Sequence, residues 1–381
     1  MKVERRRFIF FSAALFALFA VVSISVTQFS VFLLLAAAYF FRQEIAADRY
    51  VKYFCALMLF FYAAYALSAA FSEYPLNSLR KFRDPLWFLI FVPVYALTGN
   101  DEKEELRELL VYSAAAITLF SLFRDLVIYE QPFNAFKLKS TTGHSISYGC
   151  MMAMVFFLNA ALIARKPRSI PLYITAAIIF AGLLLSRSRA SWFGFLAGFL
   201  CFSILYRNLK FIGIMAVVIM LAFVIVPSRF SKTFFSSFST AVKTNSLRLE
   251  LWRWGLDHFS KKPLTGIGPN NIRLTMEKDR GELSEFTYSQ KLRHLHNVPV
   301  HLLVALGIPG AIGYLFYIFV FISLPIDLLK KGPDIAAAGI LAAFIACAVT
   351  GFFEYNIFDT EIAMLTAFIA GTARRDTVNN E

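Results

Sequence analysis

The chain has 381 residues, of which 58% are hydrophobic and only 17% charged, with a formal net charge of +13. Soluble domains average about 25% charged residues, so an ordinary soluble protein is excluded. No compact basic block is present, so nucleic acid is not an expected partner, and a positive excess in an apolar chain belongs first to cytoplasmic loops and to contacts with anionic lipid or phosphate.

Apolar runs of about 15 to 22 residues recur along the chain, near the roughly 20 residues a helix needs to cross a hydrocarbon core of about 30 Å. They predict spans near residues 8–24, 27–41, 51–71, 85–98, 109–128, 145–164, 171–186, 190–206, 210–226, 298–323, 334–353 and 356–373. The expected fold is all-α, a polytopic membrane bundle of about twelve transmembrane helices with one long, partly helical loop outside. Residues 1–226 then form an N-terminal bundle, 227–297 the loop carrying the site, and 298–381 the closing helices. The opening MKVERRR resembles the start of a signal peptide but is followed by no small-x-small cleavage site, so an uncleaved first helix is expected. Cys55, Cys150, Cys201 and Cys347 each stand alone in an apolar run, which indicates neither a disulfide framework nor a zinc site.

With the N-terminus in the cytoplasm, the inner turns fall at Arg42–Lys52, Lys103–Arg107, Arg165–Arg168, Arg207–Lys210, Lys330–Lys331 and Arg374–Arg375. All are basic, as the positive-inside rule requires. The same count places the long loop outside, in the periplasm of a bacterium, and the chain as a multi-pass protein of the inner membrane.

Charges that are awkward to place mark the candidate site. Arg187 and Arg189, in LLLSRSRASWFG, sit at an outer turn too short to leave the membrane surface. Arginines there either snorkel or meet an anion. Arg80, Lys81 and Arg83 form a second outer cluster, suited to headgroups or to substrate. Within the loop, NSLRLELWRWGLDHFSKKPLTGIG predicts an amphipathic helix capped by Asn245 or Ser246, with Leu247, Leu251, Trp254 and Phe259 on the face turned to the membrane. Pro263, Gly266 and Gly268 end it, and their spacing is too weak to be a phosphate loop. His294, His296 and His301 follow where the chain re-enters the membrane, and imidazole is the side chain that trades protons near neutral pH. No carboxylate or cysteine has ligand spacing to them, so neither a metal nor any other cofactor is expected. His301 is expected to be a hydrogen-bonded packing residue.

In this order Ser188-Arg189-x-x-Trp192, Arg248-x-x-x-Trp252 with Pro263 to Gly268, and His296-Asn297 with Leu306 to Gly310 resemble the O-antigen ligase family. The later GFFEYNIFDTEIAM, Gly351 to Met364, is similar to that family's closing segment. The resemblance covers roughly residues 75–372, and the family's superfamily also holds O-antigen polymerases and protein oligosaccharyltransferases. It implies an inverting, metal-independent glycosyltransferase acting on the periplasmic face in lipopolysaccharide biosynthesis. The donor would be a glycan linked to undecaprenyl pyrophosphate and the acceptor a sugar hydroxyl on lipid A-core, both presented from membrane lipid. Arg189, Arg248 and His296 fall on positions that the family uses. A pyrophosphate leaving group without a metal needs fixed cations, which suits Arg189 and Arg248, and the attacking hydroxyl needs a base, which suits His296. Arg80, Arg187, Trp252, His294 and Asn297 are expected to contact substrate. A polymerase joining two lipid-linked units is the alternative within the superfamily. A polysaccharide or lipid transporter is the alternative outside it, less suited because few charges sit in mid-span.

The loop charges predict that a reporter fused after Lys243 is periplasmic and one fused after Lys331 cytoplasmic. Paired alkaline phosphatase and fluorescent-protein fusions measure both positions, and the reverse pattern would overturn the assigned orientation.

Overall fold

The computed structural model describes residues 2–41, 45, 48–131, 137–139, 141, 143–207, 213, 243–290 and 292–375, and among these there is no β-strand. Helices α1 (Lys2–Phe19), α2 (Ile24–Phe40), α3 (Arg49–Ala70), α4 (Pro75–Leu79), α5 (Phe91–Leu97) and α6 (Asn100–Phe123) open the chain. Then come α7 (Ser145–Arg165), α8 (Ile170–Leu185) and α9 (Arg189–Tyr206). The long loop supplies α10 (Lys243–Lys261), α11 (Ile272–Lys278) and α12 (Glu285–Ser289). The closing helices are α13 (Val298–Leu306), α14 (Ile308–Lys331), α15 (Ile335–Thr350) and α16 (Thr360–Gly371). The span expected at 210–226 lies outside the described residues, apart from Gly213. Among those described, five helices are long and apolar enough to cross a membrane: α3, α6 with its extension to Ile128, α7, α9 and α14. Four shorter apolar helices, α2, α8, α15 and α16, accompany them. The chain is a polytopic helical membrane protein.

Two expected spans are broken. Residues 85–98 form a 3-10 helix, Asp84–Ile90, followed by α5, because Pro85 and Pro93 each remove a backbone donor. The run 298–323 is interrupted at Gly307, whose φ of 70° lies in the left-handed region. There the chain turns so that the Ile308 amide donates to the Pro263 carbonyl at 2.8 Å, and α14 starts in a new direction.

The core is built around α7. Its sequence is apolar on every side, and 94% of its most apolar window is buried, by α6, α8, α9 and α15. A helix with that pattern has no face to give to lipid. Phe156 and Phe157 on α7 meet Phe195 of α9 at ring distances of 5.0 and 5.5 Å. Association within a bilayer gains little from hydrophobicity, so backbones must approach closely to gain contacts. Gly194 and Gly198, four residues apart on α9, allow this against α15. A Cβ at Gly194 would lie 2.3 Å from the Ala346 carbonyl oxygen, and one at Gly198 2.7 Å from that of Ala342.

The loop has a small core of its own. Leu247, Leu251 and Trp254 of α10 are buried against Ile267, Ile272, Met276, Leu283, Leu295 and Val304. The apolar face of α10 is therefore covered by the chain itself, which corrects the expected contact with the membrane. Asn245 and Ser246 are not caps either. Both lie inside α10, which already includes Lys243.

Gly198→Leu would drive a side chain into Phe157 and the α15 backbone. Overpacking of this kind costs about 1–3 kcal/mol, so the purified variant is expected to melt below the wild type in detergent. An unchanged melting temperature would mean that α9 and α15 separate freely.

Candidate functional site

The site forms where the α15–α16 turn meets the segment leading into α13. Asn297 is the N-cap of α13, its Oδ1 accepting from the Val300 amide at 2.9 Å, while its Nδ2 donates to the Phe352 carbonyl at 2.9 Å. The Val298 amide donates to the Gly351 carbonyl at 2.7 Å. These bonds seat Glu354 directly beside His296. Trp252 fixes the same segment from the other side, its indole N–H donating to the Leu295 carbonyl at 2.8 Å. Asn297 and Trp252, expected to contact substrate, thus have structural bonds here.

Glu354 joins the pieces. One carboxylate oxygen forms an ion pair with the Arg248 guanidinium, and the other accepts from His296 Nδ1 at 2.6 Å. A carboxylate only accepts, so Nδ1 carries a proton, and in the neutral ring the lone pair is then on Nε2. The Glu354 side chain is 9% exposed and that of His296 18%. Burial alone pushes the Glu354 carboxyl up. The His296 hydrogen bond and the charges of His296 and Arg248 outweigh it, and its pKa is lowered overall. His296 holds its backbone at a φ of 49°, a left-handed conformation that costs a non-glycine residue roughly 1–3 kcal/mol.

Arg189 opens α9 behind the N-cap Ser188, whose hydroxyl accepts from the Ser191 amide at 3.3 Å. Its guanidinium donates to Asn245 Oδ1 at 3.5 Å and lies within electrostatic range of Arg248 and Glu354. Thr350 bonds the Ala190 carbonyl at 3.4 Å, which ties the start of α9 to the turn carrying Glu354. Arg187 is half-buried in the preceding α8–α9 turn with a φ of 52°.

His294 stands next to His296, the ring centroids 4.6 Å apart, and continues as a wall through Tyr355 to His301. Burial, and then His296, lower His294 to about 4, so it is neutral at pH 7. His301 is buried on Tyr355 with ring centroids 4.0 Å apart, the packing expected of it, while its Nδ1 has no hydrogen-bond partner among the described residues. Arg80 is not in the Arg189–Arg248 group. It borders a separate cavity of about 520 Å³ behind His294.

The glycine-rich motifs have a packing role. Ile267 and Gly268 amides donate to the Val304 and Ala305 carbonyls at 3.0 Å each, capping α13, and Gly266 fits where a Cβ would lie 2.5 Å from Ala305 backbone. The Lys-Pro-Leu-x-Gly-x-Gly and Leu-Gly-Ile-x-Gly stretches are thus two halves of one junction, which holds α10 against α13. Glu354 was given no role by sequence reasoning. Its signal is a lone carboxylate in the apolar GFFEYNIF, a position where membrane proteins rarely place a charge without use.

Residues 174–315 match the family model described as O-antigen ligase. The match contains Arg187, Arg189, Arg248, Trp252, His294, His296 and Asn297, and ends before Glu354. No curated protein matches the chain significantly.

Because the native pKa of Glu354 lies below the ordinary 4.5, its ion pairs stabilise the fold fully above that value. That stability is lost as the pH falls through the lowered pKa. Glu354→Gln should therefore melt below the wild type at pH 7, with the gap closing only as the pH falls from 4.5 through that lowered value. Melting curves across this range test it, and a gap independent of pH would place the carboxylate outside the ion pairs.

Proposed function

We propose that the chain, whose residues 174–315 match the family model described as O-antigen ligase, is an O-antigen ligase. It transfers a glycan from undecaprenyl pyrophosphate to a sugar hydroxyl of lipid A-core, on the periplasmic face of the bacterial inner membrane. Glycan transfer by a ligase or polymerase is the activity of the family. The observation that carries the reading is the Glu354 carboxylate shared by Arg248 and His296.

Glu354 holds the imidazole through Nδ1 and leaves Nε2 to act as the base. Nε2 takes the proton of the acceptor hydroxyl as its oxygen bonds to the anomeric carbon. The bond from that carbon to the pyrophosphate oxygen breaks, and the electron pair leaves with undecaprenyl pyrophosphate. Attack opposite to the leaving group inverts the anomeric centre. Arg189 and Arg248 neutralise the charge that develops on the pyrophosphate, and Arg248 retains further N–H donors beyond the one given to Glu354. The imidazolium formed on His296 is stabilised by the adjacent carboxylate, so the charge it gains is met where it appears. Trp252 and Asn297 hold the His296 segment in the geometry this requires, as their bonds to Leu295 and Phe352 support.

His296→Ala and Glu354→Gln should each slow single-turnover transfer by roughly 10²- to 10⁴-fold while still binding lipid-linked donor. Arg189→Lys and Arg248→Lys should fail because lysine lacks the bidentate fork. In cells, loss of a ligase leaves full-length glycan on the carrier lipid, whereas loss of a polymerase leaves single repeats. Lipid extraction from the deletion strain separates the two, and single repeats would replace the ligase reading with polymerisation. Near wild-type transfer by His296→Ala would remove the base assignment.

A further inference from the structure

Behind the His294–Tyr355–His301 wall lies the cavity of about 520 Å³ noted above, a size within the usual range for small-ligand pockets of roughly 300–1,000 Å³. Two chain segments far apart in sequence bring cations to it: Arg80, Lys81 and Arg83 from the end of α4, and Arg293 from the segment before α13. Arg80 and Arg293 make no ion pair among the described residues. Lys81 is paired with Asp84 at 2.8 Å. Its side chain is 34% exposed, against 78% for Arg83, so it is the more enclosed of the two.

Two carboxylates, Asp84 and Asp359, line the same space against four cations, so the lining keeps a surplus of positive charge. Asp84 is paired with Lys81 and lies 4.0 Å from Arg83, which leaves Arg80 and Arg293 as the cations without a carboxylate. Asp359 accepts from the Ser147 hydroxyl at 3.3 Å. The wall adds polar atoms of its own. His294 and His301 each have a buried Nδ1 without a hydrogen-bond partner, and His301 is only 6% exposed. A buried donor or acceptor left unpaired costs roughly 1–3 kcal/mol, so these nitrogens suit a site that is completed by a polar ligand. Surplus positive charge, arginine forks and histidine nitrogens together select a phosphate over a neutral sugar.

We infer that this cavity is a second anion site, which binds a phosphate group carried by the acceptor glycolipid. It rests on the reading of the chain as a glycan transferase, because it supplies the second substrate's place. The first anion group, Arg189 with Arg248, gathers at Glu354 and His296, whereas the cavity is bordered by His294, Tyr355 and His301. A base adjacent to two phosphate sites can take a proton from a hydroxyl presented by one substrate and direct its oxygen at the other.

The test uses the full-length protein in nanodiscs of phosphatidylcholine, with a fluorescent acceptor glycolipid whose phosphates are intact or enzymatically removed, and no donor present. The intact acceptor should bind at least tenfold more tightly than the dephosphorylated one. Lys81→Gln and Arg293→Gln should each weaken binding of the intact acceptor by roughly tenfold and leave the dephosphorylated one unchanged. Lys81→Arg should restore it. Arg293 is exposed, so its variant holds even where Lys81→Gln, by leaving Asp84 without its cation, fails to fold. In transfer assays the same variants should raise KM for the acceptor with kcat and donor KM kept. Equal loss for both acceptors, or no loss, would overturn the inference. So would displacement of the acceptor by phosphatidylglycerol at matching concentration, which would assign the cavity to bilayer headgroups. Phosphate-dependent binding without transfer from any lipid-linked donor would leave the cavity standing and remove the transferase reading instead.

Discussion

The arrangement depends on one buried carboxylate. Glu354 is nearly enclosed, and taking a carboxylate out of water costs several kcal/mol unless partners replace the lost solvation. Arg248 and His296 are those partners, and each comes from a different part of the chain: one from the long loop, one from the entry to α13, with Glu354 itself from the α15–α16 turn. The penalty for separating them makes the loop and the membrane bundle a single unit. Removing any one member leaves an uncompensated charge or a misdirected ring, so the three residues stand or fall together.

Much of the remaining structure serves to bring these elements into register. The Gly266–Gly268 loop caps α13 and Gly307 turns the chain away into α14, so α10 is clamped beside the histidine segment. On the other side, the close approach of α9 to α15 through Gly194 and Gly198 sets Arg189 next to the turn that carries Glu354. The left-handed backbone of His296 is the local cost of aiming the ring. Strain of this sort persists only when the surroundings over-determine it, as the bonds of Asn297 to Phe352 and of Trp252 to Leu295 do here.

Electrostatics divides the site end of the bundle into two regions. In one, Arg248 and Arg189 are tied to Glu354 and Asn245. In the other, Lys81 and its arginine neighbours line a cavity in which Asp84 is in an ion pair and Asp359 is bonded to Ser147. Neutral His294, lowered by burial and by His296, separates two positive regions without adding charge to either.

The sequence by itself determined the class: apolar runs of spanning length can only be helices, since a bilayer offers no partner for an unpaired backbone. It also pointed to Arg189, Arg248 and His296, because charges and imidazoles at membrane boundaries stand out against an apolar background. Periodicity along α10 correctly marked Leu247, Leu251 and Trp254 as one face, but could not say that the chain itself, and not lipid, would cover it. Continuity of the runs at 85–98 and 298–323 was misleading, since hydropathy does not register a missing donor at proline or a left-handed turn at Gly307. Glu354 was decided by tertiary structure alone. It lies 58 residues beyond His296, and only the bonds from Asn297 and Val298 to the Gly351–Phe352 backbone bring its carboxylate to the imidazole. Spacing in sequence reports neighbours along a helix, whereas a carboxylate shared by two distant segments exists only once the chain has closed on itself.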